Sequence, residues 1–138
     1  MSGIYHGGYT EDELLRIAKE VCGKAYAPYS GFKVGAALLT ENGDIYTGVN
    51  VENASYGASI CAERTAFVKA VSEGERDFAA IAVASEEDEA VPCGICRQFM
   101  YEFAPNMDVI TESGAGEPKV RKLRELLPEG FRLDKDRR

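Results

Sequence analysis

The sequence predicts a single α/β domain, a three-layer α/β/α sandwich built on a mixed central sheet of about five strands. Three observations carry that expectation. Thr10 and Glu13 have capping-box spacing ahead of a helical apolar stripe. Asn42-Gly43-Asp44 between two apolar runs is a hairpin signal. Residues 78–84 form an almost unbroken apolar run, the pattern of a strand buried on both faces.

Taken in order, residues 1–9 are rich in Gly and Tyr without periodicity and read as a loose arm, leaving 10–138 as the domain proper. The first helix places Leu14, Ile17, Ala18, Val21 and Ala25 on one face. Cys22 beside that stripe lacks metal-type spacing and reads as a small buried hydrophobe. Pro28 and Gly31 break the chain before the hairpin strands 34–39 and 45–49. A loop over 50–59 leads into a helix over 61–72, which Gly74 stops. After the strand 78–84, a polar loop over 85–89 precedes another helix from Cys93 to about Phe103, closed by Pro105. Residues 107–111 read as a short strand, 119–120 as a last one, and 120–127 as helical. There is no internal repeat.

Length and charge bound the function. At 138 residues the chain holds one real core and not two. No segment has the length of a membrane span and the N-terminus lacks an apolar signal core, so a cytoplasmic protein without a membrane partner is expected. Four cysteines in a reducing compartment read as metal or catalytic groups before disulfides. A net charge of −7 with scattered basic residues argues against nucleic acid, which wants a basic stripe. The expected ligand is small.

Cys61-Ala62-Glu63-Arg64 and Pro92-Cys93-Gly94-Ile95-Cys96-Arg97 supply the chemistry. Three thiolates on a tetrahedral Zn²⁺ leave a fourth position open, the mark of a catalytic site. The sole histidine, His6, lies far off in the arm, so the ligand set is Cys61, Cys93 and Cys96. Within a helix, residues two apart point about 200° from one another, so Cys61 and Glu63 can share a site only where the helix begins. Cys61 is therefore expected to start its helix, and Cys93 and Cys96 to share the first turn of theirs. Helix N-termini stabilise anionic sulfur. Arg64 and Arg97, close after ligand cysteines, are expected to hydrogen-bond the thiolates and draw negative charge from the metal; the alternative is that they only bridge helix to sheet. Glu63 is placed to move protons.

The sequence resembles the small zinc cytidine deaminases that act on free nucleosides as homotetramers. The likeness runs through Ala25-Tyr26-Ala27-Pro28-Tyr29-Ser30 with Phe32, through Gly48-Val49-Asn50-Val51-Glu52-Asn53-Ala54-Ser55-Tyr56, through both cysteine motifs, and to Leu126-Leu127-Pro128. It covers about residues 14–131. The resemblance implies one zinc per chain and hydrolysis of cytidine and 2′-deoxycytidine to uridine and 2′-deoxyuridine with loss of ammonia, in pyrimidine salvage. It implies that Glu63 shuttles protons from water to N3 and to the departing amine. It also implies that Asn50 and Glu52 hydrogen-bond the ribose 3′-hydroxyl, that Phe32 covers the base or sugar, and that Ala62 contacts the substrate. In such tetramers a neighbouring subunit completes each site, a role that would fall to Ala54, Tyr56 and Phe131.

Other readings stay open. A structural zinc module explains the cysteines and leaves Glu63 without a role. A thiol redox protein would use Cys93 and Cys96 alone. Blasticidin-type deaminases resemble the chain in the cysteine motifs and Leu126-Leu127-Pro128, but not in Asn50-Val51-Glu52-Asn53.

Overall fold

In the computed structural model, which describes residues 4–86 and 89–133, the capping box at Thr10 is closed. The Glu13 N–H donates to Thr10 Oγ1 at 3.2 Å and the Thr10 N–H to Glu13 Oε1 at 2.9 Å. Glu11, Asp12 and Glu13 in the first turn complement the positive end of helix α1, Glu11–Val21. The helix buries Leu14, Leu15 and Ala18, then tightens into a 3₁₀ turn over Cys22–Lys24. Ala25 thus falls beyond the helical face on which periodicity put it. Cys22 is fully buried, with its thiol donating to the Lys19 carbonyl at 3.0 Å.

Strands β1 (Val34–Thr40) and β2 (Ile45–Val49) form the expected hairpin, with Gly43 in the turn at φ +95°. They are followed by α2 (Ala62–Ser72), β3 (Phe78–Ser85), α3 (Gly94–Tyr101), β4 (Asp108–Glu112), β5 (Pro118–Lys122) and the short α4 (Leu123–Leu126). Among the described residues the sheet has five strands in the order β2-β1-β3-β4-β5. Only the β3–β4 pair is parallel, as suits a crossover through α3. The other three neighbouring pairs are antiparallel.

Strand β3 shows why the sheet is covered on both faces. Its even residues Ala80, Ala82 and Ala84 pack with Leu14, Leu15 and Ala18 of α1. Its odd residues Ile81 and Val83 join Ala66, Phe67 and Met100 of α2 and α3. Alternate Cβ atoms point to opposite faces, so one strand serves two cores. Phe67 anchors the second, with ring centroids 4.8 Å from Phe78 and 5.9 Å from Phe103. The three-layer α/β/α sandwich follows from these two clusters.

Two expectations are corrected. Residues 120–122 belong to β5, where Val120 pairs with Ile110 and Arg121 with Val109, so the last helix is only Leu123–Leu126. The strand wins because β4 offers an open edge, while the Glu125 carboxylate accepts from the Lys122 N–H at 2.7 Å and starts the helix there. Residues 4–9 are not a loose arm. Ile4 bridges Thr10, Tyr5 and Tyr9 close a turn, and the Tyr5 hydroxyl donates to Asp108 Oδ2 at 2.8 Å. Residues 1–3, part of the polar loop at 87–88 and the tail from 134 lie outside the described residues. No described helix is long and apolar enough to cross a membrane.

Candidate active site

Cys61 and Cys93 occupy the same structural position: each is the extended residue capping a helix, α2 and α3 respectively. Neither cap is closed by a side-chain hydrogen bond, so both thiols stay available at the positive helix ends. Cys96 lies in the first turn of α3 and is fully buried. The Cys61 and Cys93 sulfurs are 4.0 Å apart, those of Cys93 and Cys96 3.5 Å, and all three lie within 4.8 Å of one another. A tetrahedral zinc with Zn–S bonds of about 2.3 Å separates its sulfurs by about 3.8 Å, so this set fits the metal. The thiols compete for protons. Cys61 is pulled down to about 5, first by the neighbouring Cys96 thiol and then by Arg64, while Cys96 is pushed up by the closeness of Cys61 and by burial. A divalent cation held by the three sulfurs would relieve that competition by ionising all three.

The two arginines divide. Arg64 Nη2 reaches Cys61 Sγ at 3.9 Å and the Ser59 carbonyl at 3.3 Å. Arg97 does not turn to sulfur: its Nε donates to the Pro92 carbonyl at 2.8 Å and its Nη1 to the Leu126 carbonyl at 2.7 Å. The expected contact of Arg97 with the thiolates is therefore corrected. Its guanidinium ties α3 to the end of α4 and holds the peptide just before Cys93.

A cleft of about 490 Å³ opens beside the sulfurs. It brings together Phe32, Asn50, Glu52, Cys61, Ala62, Glu63 and Cys93, which lie far apart in sequence. Glu63 is only 4% exposed, and burial pushes its carboxyl up to about 7. The charge on Cys61 adds to the rise, while Arg64, Cys96 and the Glu63 backbone N–H oppose it. A carboxyl in that range can both take and give a proton near neutrality.

Asn50 and Glu52 are already engaged. Asn50 Oδ1 accepts from the Val34 N–H at 2.9 Å and its Nδ2 donates to the Phe32 carbonyl at 2.8 Å. Glu52 Oε1 accepts from the N–H groups of Tyr29 and Ser30 at 3.0 and 3.1 Å, and Oε2 accepts from the Ser30 hydroxyl. Ala54, Tyr56 and Phe131 do not line the cleft of their own chain; Tyr56 is 79% and Phe131 62% exposed. The Phe131 carbonyl is held by Gln98 Nε2 at 2.9 Å.

Sequence reasoning missed Ser30, Val34, Val83, Glu89, Ala90 and Val91, which complete the wall. Ser30 had a signal, since Pro28 and Gly31 mark a turn and a serine within one commonly bonds its own backbone. The wall from 89 to 91 had none, because it is built by a loop.

The model of the cytidine and deoxycytidylate deaminase zinc-binding region matches residues 9–112. A cytidine deaminase of Sporosarcina psychrophila is 46% identical over 122 residues, covering 87% of this chain and 90% of the relative. The crystal structure of cytidine deaminase from Burkholderia pseudomallei superposes with a TM-score of 0.84 at 48% identity, over 89% of this chain and 100% of that one. A blasticidin-S deaminase of Bacillus cereus is more distant, 32% identical over 84% of this chain and 88% of the relative.

Proposed function

The chain belongs to the family that shares the cytidine and deoxycytidylate deaminase zinc-binding region, and from that premise we propose that it hydrolyses cytidine and 2′-deoxycytidine to the corresponding uridines with release of ammonia. The observation that carries this reading is the buried Glu63 carboxyl sharing one cleft with Cys61 and Cys93. When bound by Cys61, Cys93 and Cys96, zinc supplies an activated water for attack at C4 of the pyrimidine, the general chemistry of zinc deaminases. Glu63 takes one proton from that water and delivers it to N3, then takes the remaining proton of the added hydroxyl and passes it to the amine as the C–N bond breaks and ammonia leaves. Its burial keeps bulk water from competing for those protons. Phe32 covers the base or sugar, while Asn50 and Glu52 bind the 3′-hydroxyl. Each of these two side chains keeps capacity for that contact: one amide hydrogen on Asn50 and one of the roughly four carboxylate lone-pair positions on Glu52.

The finer assembly belongs to the same reading. Four chains form a homotetramer in which Ala54, Tyr56 and Phe131 complete a neighbour's cleft. Its support is that Tyr56 and Phe131 are exposed and do not line their own cleft, with Tyr26, Tyr29 and Ile95 also exposed. A cytoplasmic location fits the four free cysteines. The blasticidin-type alternative is not favoured, given the lower identity of that relative. The deciding experiment is chromatography of products from cytidine with purified, zinc-loaded protein. Rapid, chelator-sensitive formation of uridine is expected. No uridine from protein holding one zinc per chain overturns the proposal.

A further inference from the structure

The carboxylate assigned to the sugar does not stand alone; a loop serine sets its position. Ser30 sits in a turn where Gly31 takes φ +73°. Its Oγ accepts from the Phe32 N–H at 3.0 Å. With that lone pair engaged, the hydroxyl proton is directed at Glu52 Oε2, on which it makes a hydrogen bond. The N–H groups of Ser30 and Tyr29 meet the other oxygen, Oε1. Three donors from two adjacent residues therefore grip one side chain 22 and 23 positions further along the chain. The Ser30 hydroxyl, then the two N–H groups, hold the Glu52 carboxyl below its ordinary range, keeping it an acceptor.

The count of acceptor positions gives this grip a consequence. A carboxylate presents about four lone-pair sites, and three are filled. The one remaining can take a single hydroxyl, in a direction fixed by the other three. Losing the Ser30 donor frees the carboxylate to rotate and to hydrate, both at the expense of that direction.

We infer that Ser30 is a positioning residue for sugar recognition: it does not touch the substrate's reacting atoms but fixes Glu52 for the 3′-hydroxyl. The inference rests on the assignment of Glu52 to that hydroxyl.

The test is a cycle over residue and substrate, using zinc-loaded Ser30→Ala, Ser30→Thr and Glu52→Gln proteins with cytidine and 3′-deoxycytidine. Any loosening of Phe32 or of zinc affects both substrates and cancels in their ratio. For Ser30→Ala the ratio of kcat/KM between cytidine and 3′-deoxycytidine is expected to fall about tenfold, the cost of one charge-assisted hydrogen bond, mostly through KM for cytidine. Ser30→Thr keeps the hydroxyl and is expected to restore the ratio. Ser30 lies in an exposed loop, and urea midpoints of the variants check that folding is intact. If Glu52→Gln lowers the ratio and Ser30→Ala leaves it unchanged, the role of Ser30 is overturned while the sugar assignment stands. If Glu52→Gln itself leaves the ratio unchanged, the sugar assignment falls and takes this inference with it.

Discussion

Gly48 in β2 and Ala66 in α2 meet backbone to backbone: a Cβ at position 48 would stand 2.4 Å from the Ala66 nitrogen and 2.5 Å from the Ala62 carbonyl oxygen. Since α2 carries Cys61 at its cap and Glu63 in its first turn, this contact seats the reacting groups on the sheet. Only hydrogen fits between strand and helix here.

Gly48→Ala is therefore expected to push α2 outward and to cost at least about 1–3 kcal/mol, the usual range for overpacking. Gly48 does not need a left-handed backbone, so the cost is steric alone. Gly23, where an added methyl group would meet nothing within 4 Å, is the control, and Gly23→Ala is expected to change stability by less than about 0.5 kcal/mol. Urea denaturation of both variants checks this, and zinc content should fall in Gly48→Ala only. Equal stability of the two would show that helix and strand part without cost.

Glu63→Gln separates binding from chemistry. The thiol set does not include Glu63, so one zinc per chain is expected to remain. The amide cannot carry protons, and kcat should fall by at least about a hundredfold, the lower end of what general acid–base groups supply. Metal analysis alongside turnover checks both halves. A zinc-replete variant with wild-type kcat would remove Glu63 from the mechanism.

Local rules made much of this legible. Thr10 and Glu13 announced α1 because their hydrogen bonds are made within four residues. The cysteine motifs placed three sulfurs because helix geometry fixes what a first turn can present. What stayed hidden depends on partners distant in sequence. Arg97 is aimed by a carbonyl 29 residues away, and Ser30 by a carboxylate 22 residues away. Residues 120–122 carry a pattern compatible with either helix or strand, and the open edge of β4 decided it. Tyr5 looked unattached until the fold brought Asp108 beside it.

Arg64 and Arg97 should respond differently to truncation. Arg64 touches the Cys61 sulfur, so Arg64→Ala is expected to speed zinc loss to a chelator by about tenfold or more, as for other groups that orient metal ligands. Arg97 bonds two backbone carbonyls, so Arg97→Ala should lower stability by about 1–3 kcal/mol with a smaller change in zinc release. Indicator-linked zinc release and urea midpoints, measured on both, check the division. The reverse pattern would mean that Arg97 is the one that governs the sulfurs.

Charge in the cleft predicts selection against phosphorylated substrates. Glu52, Glu63 and Glu89 line it, and no lysine or arginine is among its described lining residues. A 5′-phosphate dianion brought near Glu52 and Glu89 meets repulsion with no described lysine or arginine in the lining to answer it, and like charges set close together cost several kcal/mol. Cytidine monophosphate is therefore expected to show kcat/KM at least about a hundredfold below cytidine, a difference near 2.7 kcal/mol. Raising the salt concentration should narrow the gap only slightly, because a partly enclosed cleft is screened less than open surface. Parallel assays of the two substrates at low and high salt check this. Comparable kcat/KM at low salt would mean that the phosphate projects away from the carboxylates into solvent or onto a neighbouring subunit's cation.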